Sequence, residues 1–356
     1  MRKAGNTMAR DFVIGAIALA VVLAVGLLTE SPWPRDFLTP IFAFGLLAMS
    51  LNLLIGFTGL VSFGHAAYFA FGGYAFGLLL QWPVFTDGLG GAAVPVAMAL
   101  ALVLTALYSL AIGAICVRLD EIYFAFLTLA FQMFLYSVIL SWVNLTGGDQ
   151  GLMGGIPRPP FLGMDLSDGH DRFVFCAIFF ALCIMLLRVV TQSSFGYTLR
   201  MIRDNQQRAA FLGINVYRIK LICFVLAGTI AGGGGIILAL FTSGAYPEWA
   251  FWAQSGEAIF MIMLGGMSAF LGPILGAILL RILNDVVQMY TDHTDLVIGA
   301  VILFVVLVLR RGVLDFFIDK RSAVLEKREE AQASLAAKLA ADPAPSGDGS
   351  ADQARD

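Results

Sequence analysis

Residues 218–242 read RIKLICFVLAGTIAGGGGIILALFT, and beyond Lys220 this stretch carries no charge. It is long enough for a membrane-spanning helix, which needs about 20 apolar residues. Comparable apolar runs lie at 12–28, 37–55, 59–80, 91–117, 122–142, 173–190, 256–290 (interrupted) and 295–309. The 356-residue chain is 59% hydrophobic and 13% charged, against roughly 45–50% and 25% in soluble domains. An ordinary soluble enzyme is therefore excluded. In lipid every backbone N–H and C=O must be satisfied internally, and the alternating pattern of a membrane barrel is absent. The expectation is an all-α, polytopic transmembrane bundle of about eight to ten membrane segments, some of them broken or re-entrant.

Lys and Arg concentrate in cytoplasmic loops. Arg2, Lys3 and Arg10 put the N-terminus, 1–11, in the cytoplasm. Phe12–Leu28 reads as a retained span, because Leu28-Thr29-Glu30 is no small-residue cleavage site. The segment 188–220 holds Arg188, Arg200, Arg203, Arg208, Arg218 and Lys220 against Asp204 alone, which predicts a cytoplasmic loop over 191–220. The segment 143–172 holds Arg158 and Arg172 against Asp149, Asp165, Asp168 and Asp171, and reads as external. Arg310 and Arg311 close the transmembrane domain, 12–310, and open a cytoplasmic tail. Its first part, 311–341, is rich in helix formers. Its end, 342–356, is rich in Pro, Gly, Ser and Asp and reads as disordered.

Counting crossings requires 256–290 to begin and end outside. Its middle, Leu264 to Pro273, holds Gly265, Gly266 and Gly272, which suits a broken or re-entrant pair. A similar interruption, GFTGLVSFGHAA, occupies 56–67. Two glycine-interrupted segments point to repeated transporter halves with a site between them. Close packing of membrane helices is the plainer explanation.

Catalytic motifs are missing. None of the five lysines follows a glycine, so there is no phosphate-binding loop, and neither G-x-S-x-G nor H-E-x-x-H occurs. Cys116, Cys176, Cys183 and Cys223 lie in apolar runs, and His65, His170 and His293 are scattered, so no metal site is expected. The net charge of −3 comes without a basic stripe, which argues against nucleic acid as a partner.

The basic loop is the strongest positive signal. Residues 206–212 can form a short helix with Gly213 as its C-terminal stop, and Ala209 and Ala210 leave room for close docking. Such a helix would dock into another protein or lie on the headgroups with its long side chains snorkelling.

Four ordered motifs carry a resemblance. The one in the loop comprises Arg200-Met201-Ile202-Arg203-Asp204-Asn205, Arg208-Ala209-Ala210, Gly213-Ile214-Asn215-Val216 and Arg218-Ile219-Lys220-Leu221. Earlier stand Leu51-Asn52-Leu53-Leu54-Ile55-Gly56 and Gly59-Leu60-Val61-Ser62-Phe63-Gly64-His65-Ala66-Ala67-Tyr68-Phe69. Between them lies Thr146-Gly147-Gly148-Asp149-Gln150-Gly151-Leu152, and later come Leu264-Gly265-Gly266, Gly272-Pro273 and Gly276-Ala277. Together they resemble the permeases of ABC importers for branched-chain and other hydrophobic amino acids. The resemblance spans residues 37–310. Where the family often has an acid beside the first alanine, this chain has Ala210.

The resemblance implies a multi-pass permease subunit of the bacterial inner membrane with both termini cytoplasmic. It also implies a second, homologous permease subunit, two ABC ATPase subunits that hold ATP and Mg, an external solute-binding protein, and alternating access. No cofactor is expected in this chain itself. Arg203, Asp204, Arg208, Ala209, Ala210 and Gly213 would form the coupling loop to the ATPase. Related permeases carry urea, short amides or aromatic acids.

For the pathway, Gly59, Ser62, Gly64, Gly265 and Gly266 mark where helix ends would be exposed. Helix N-termini suit a substrate carboxylate, and backbone carbonyls suit its ammonium. Phe63, Phe69 and Phe270 would supply apolar walls. His65 is either a neutral histidine bonded to a backbone carbonyl or a group near the path. Glu257 must be paired or wet, at the path or at the outer interface beside Trp249 and Trp252. A self-contained secondary transporter or channel would need ion-coupling groups in mid-membrane. It would also leave the basic loop without a role.

Overall fold

The computed structural model describes residues 31–301, except 120, 153, 154, 162, 163, 268, 292, 294 and 295, together with positions 20, 23, 24, 26 and 303. The expected first span (12–28), last span (295–309), N-terminus (1–11) and tail segments (311–341 and 342–356) lie wholly or largely outside the described residues.

The described chain is helical. Its α-helices are α1 (Trp33–Thr58), α2 (His65–Gln81), α3 (Pro83–Leu89), α4 (Ala93–Cys116), α5 (Glu121–Ser141) and α6 (Val143–Thr146). They continue as α7 (Gly169–Gln192), α8 (Ser194–Asp204), α9 (Gln206–Phe211), α10 (Val216–Thr242), α11 (Trp252–Gly265) and α12 (Gly272–Gln288). Among the described residues the sole strand-like pairing is a bridge between Phe161 and Met164.

Five stretches are long and apolar enough to cross a membrane: α1, Pro83–Cys116, Ile122–Ser141, α7 and α10. α1, α7 and α10 overrun the apolar runs that mark them, whereas α4 stays inside its run and α2 begins only at His65, well into the run 59–80. α1 starts at Trp33, ahead of the run at 37, because Pro34 sits at the first helical turn, where its missing N–H costs nothing.

α1 and α10 form the centre: 78% and 72% of their most apolar windows are buried, against 22% for α5 and α7. Apolar residues on every face are thus used twice, for the core in the middle and for the perimeter outside. The run Gly232–Gly235 lets α10 touch α2 backbone to backbone. A Cβ on Gly235 would lie 1.8 Å from the Phe69 carbonyl oxygen, and one on Gly72 would lie 2.4 Å from that of Gly232. Small residues at such crossings replace the hydrophobic drive that lipid does not supply. Tyr68 fills the space beside them, its ring 5.5 Å from Phe224 and 5.6 Å from Tyr108.

The bundle has two chemically distinct ends. At one, Tyr217 donates to the Ala114 carbonyl at 3.1 Å, and Arg118 lies 5.8 Å from the Tyr217 ring. The end of α4 therefore meets the basic segment between α7 and α10, and the end of α1 meets it through Arg203, which donates to the Gly56 carbonyl. At the other, the amides of Leu152 and Ile156 donate to the carbonyls of Ala245 and Ser243 at 2.8 and 3.1 Å. Arg158 donates there to the Leu240 carbonyl and the Ser243 hydroxyl. Burial, helped by the neighbouring Arg172 charge, lowers the Arg158 pKa from its ordinary value.

Candidate functional site

The first interruption begins where α1 stops. Gly59 takes φ +76, and the amides of Gly59 and Leu60 return to the carbonyls of Ile55 and Leu54, both at 3.2 Å. This is an αL cap, which needs a left-handed residue that glycine supplies without strain. The next residues alternate: Leu60, Ser62 and Gly64 are buried, while Val61 and Phe63 are each 37% exposed. A period of two marks extended chain.

α2 then starts at His65, whose Nε2 is 2.9 Å from Ser50 Oγ. Ser50 lies about two turns, or about 12 Å, before the end of α1. The chain therefore doubles back beside α1 before turning helical again. Ser50 donates its own proton to the Leu47 carbonyl at 2.9 Å, so its oxygen accepts from His65. The histidine's partner is a hydroxyl rather than a backbone carbonyl. His65 Nδ1 is buried with no partner among the described residues.

A buried polar cluster fixes this start. Ser255 accepts from the Ala66 amide at 2.9 Å and donates to Gln132 Oε1 at 2.8 Å. Gln132 Nε2 donates to the Phe251 carbonyl at 2.9 Å. These bonds join α2, α5 and α11. Gly64 belongs to the same contact, since a Cβ there would lie 2.2 Å from the Thr128 carbonyl oxygen on α5. Phe69 is fully buried, stacked on Phe44 and edge-on to Trp249.

The second interruption follows α11. Gly266 has φ +111, and its amide closes the helix on the Ile262 carbonyl at 2.8 Å. α11 and α12 run antiparallel in backbone contact: Gly265 faces the Gly272 carbonyl and Gly276 the Met261 carbonyl, each within 2 Å of an added Cβ. The turn between them rests on the last turns of α1. There the Met267 carbonyl is 3.5 Å from Asn52 Nδ2 and 3.2 Å from a Cβ on Gly56. Phe270 lies 4.8 Å beneath the Arg188 guanidinium. The two interruptions thus meet at the end of α1. Glu257 sits on the exposed side of α11, near exposed Trp252 and Phe260, and accepts from Gln254 at 3.0 Å.

In the basic loop, α8 buries Gly196, Leu199 and Ile202 and exposes Tyr197. Asn205 caps α9 by accepting from the Arg208 amide at 2.8 Å, which satisfies one orphan donor. Gly213 takes φ +84, with the Ile214 amide on the Ala209 carbonyl at 3.2 Å, and ends the short helix. Asn215 caps α10 through the Arg218 amide at 3.1 Å. Lys220, buried on α10, donates to Gln206 at the start of α9 at 2.7 Å. Arg203 donates to the Gly56 carbonyl and lies 3.5 Å from Asp204. Ala209 is buried, and Arg208 and Ala210 are exposed.

Sequence reasoning missed the apolar tip. Phe211 is 90% exposed and Leu212 is exposed beside it. An apolar pair in an otherwise polar loop was its signal. It also missed Ser255 and Gln132, and the ion pair between Arg281 and Asp285 on α12, 3.3 Å apart. The four-residue spacing of that pair was legible. Among the described residues no group of three or more His, Cys, Asp and Glu side chains is placed to hold a metal ion.

Residues 34–306 match the family described as the permease component of branched-chain amino acid transport systems. The chain is 25% identical over 334 residues to the high-affinity branched-chain amino acid transport system permease protein LivM of Escherichia coli, covering 87% of this chain and 76% of the relative. It is 22% identical over 284 residues to the corresponding LivH of the same organism, covering 76% and 91%. A solved metal-chelate type ABC transporter in an inward-facing conformation is similar at 14% identity and a TM-score of 0.44, over 86% of this chain and 99% of that one.

Proposed function

Because the chain belongs to the family of branched-chain amino acid transport permease components, we propose that it forms half of the membrane path of an ATP-driven importer for branched-chain or other hydrophobic amino acids. As a permease component it is a transport protein and not an enzyme. Its second half is a homologous permease. A solute-binding protein delivers cargo to the acidic end, and a pair of ATPase subunits holds ATP and Mg at the basic end. We read that end as cytoplasmic from its excess of Arg and Lys, and both termini as lying on the same side of the inner membrane.

The observation that carries this reading is the exposed Phe211–Leu212 tip on α9. The tip is a large apolar contact on a short helix held at its start by the Asn205 cap and the bond from Lys220 to Gln206, and closed at its end by the Gly213 and Ile214 amides on the Ala210 and Ala209 carbonyls. Buried aromatic anchors of this kind dominate protein interfaces. On ATP binding the ATPase pair closes, α9 moves with it, and the path opens to the other side. The exposed side of 59–63 and of α11 faces that path. There Phe63 meets the cargo's alkyl chain.

Reconstitution tests this. The chain, its partner permease, the ATPase pair and the binding protein in sealed vesicles should take up labelled leucine only with ATP and binding protein present. Uptake by the chain alone, without ATP, would reject the importer reading in favour of a secondary transporter.

A further inference from the structure

We propose that Arg203 acts inward, as a positioning residue that ties the α8–α9 pair to both chain interruptions through the end of α1. Displacement of the loop is thereby delivered to the extended stretch 60–64. The proposal rests on the importer reading only for the source of that displacement.

The last turn of a helix leaves four carbonyls without helical partners. At the end of α1 the Leu54 and Ile55 carbonyls are taken by the amides of Leu60 and Gly59. The next carbonyl, that of Gly56, is taken by Arg203 Nη1. The guanidinium therefore sits at the negative end of the helix dipole. Its stem lies over the left-handed turn, with Cγ 3.3 Å from where a Cβ on Gly59 would be. Gly59 thus serves the backbone turn and makes room for Arg203.

A second grip lies one turn earlier on α8. The Arg200 guanidinium is 5.7 Å from the Phe57 ring and donates to the Thr191 carbonyl at 3.1 Å and the Gly196 carbonyl at 3.3 Å. So α8 holds the end of α1 and is itself held to α7. The same turns of α1 meet the second interruption through Asn52 and Met267. α9 follows α8 with only Asn205 between, and the Asn205 side chain caps α9. A push on α9 therefore reaches α8, then Arg203, then the Gly56–Gly59 turn from which 60–64 departs. Arginine suits the position because its fork can bond Gly56 while keeping Asp204 close.

The test uses the full chain in lipid nanodiscs, with its four native cysteines replaced by alanine and Phe63→Cys as reporter. Arg203→Ala should raise the rate of maleimide labelling at position 63 by roughly two- to five-fold, the size expected when one exposed charge leaves a helix end. Arg203→Lys should fall between. In the assembled importer, without the reporter, Arg203→Ala should keep ATPase binding and ATP hydrolysis while transport per ATP falls, and Arg203→Lys should restore part of it. Unchanged labelling at position 63, or loss of ATPase binding, would overturn the proposal. Loss of binding would mean that Arg203 faces the ATPase. If the unsubstituted assembly transports nothing, the importer reading falls, and the labelling result still decides the role of Arg203.

Discussion

Ser255 donates its hydroxyl proton to Gln132 at 2.8 Å while accepting from the Ala66 amide at 2.9 Å, with both side chains fully buried. Three helices that enclose the first interruption are joined at this point. Ser255→Ala would leave the Ala66 N–H and Gln132 Oε1 without partners. The expected cost is about 1–3 kcal/mol of stability, the penalty for a buried polar group left unpaired. Ser255→Ala combined with Gln132→Leu should cost less than the sum of the single changes, because the second removes an orphan left by the first. Thermal unfolding in detergent measures both, and strict additivity would show that the two side chains do not interact.

Glycine substitutions should separate sharply by position. Gly235→Ala drives a Cβ to 1.8 Å from the Phe69 carbonyl, so α10 and α2 must part and the yield of folded protein should collapse. At Gly256, inside α11, an added Cβ meets nothing within 4 Å, and Gly256→Ala should raise stability by about 0.5–1 kcal/mol. Size-exclusion profiles and melting temperatures of the two variants provide the comparison.

The tip of α9 invites a functional contrast. Phe211→Ser removes an apolar side chain that is 90% exposed, so melting should stay unchanged while affinity for the ATPase pair drops by roughly tenfold or more. Gly213→Val has open space around its Cβ but must hold φ +84, a strain of about 1–2 kcal/mol for an L-residue. It should loosen the end of α9 and lower transport per ATP hydrolysed, with membrane insertion intact. Gly213→Asn, which tolerates that conformation better, should be milder. Equal coupling in the unsubstituted chain and in both Gly213 variants would remove Gly213 from the coupling element.

Orientation is open to direct labelling. Ser167→Cys and Ser194→Cys, each in a cysteine-free chain, lie at the acidic and basic ends. An impermeant maleimide added to intact cells should reach position 167 and spare position 194. Labelling of both would reject a cytoplasmic basic loop.

Much of the architecture was legible because lipid leaves a helix little choice. Each described apolar run, from 37–55 to 173–190 and 218–242, corresponds to a helix. Gly213 and Gly59 read correctly as helix ends, since the lack of a side chain acts within a few residues, whereas the Asn205 cap shows only in the structure. What stayed hidden depends on distant partners. Residues 60–64 have the same apolar composition as a helix, and only His65 finding Ser50, and Ala66 finding Ser255, shows that the chain runs back extended. Gly64 and Gly265 resembled openings for a ligand. Their neighbours prove to be the carbonyls of Thr128 and Gly272. Arg203 read as an outward contact, and the residue that it holds, Gly56, is far away along the chain.

None of the amides of Val61, Ser62 and Phe63 donates to another described residue. Outside a helix or a closed sheet, a bare amide in hydrocarbon costs several kcal/mol. The two on the exposed flank, those of Val61 and Phe63, would together cost more than a side chain such as Phe63 gains by dissolving in acyl chains. The flank that carries Val61 and Phe63 is therefore excluded from the lipid annulus of the protein. It must be wetted or sealed by another polypeptide whenever the protein is folded in a bilayer. The solvent that this chain requires on one side is thus different from the solvent it requires along α5 and α7.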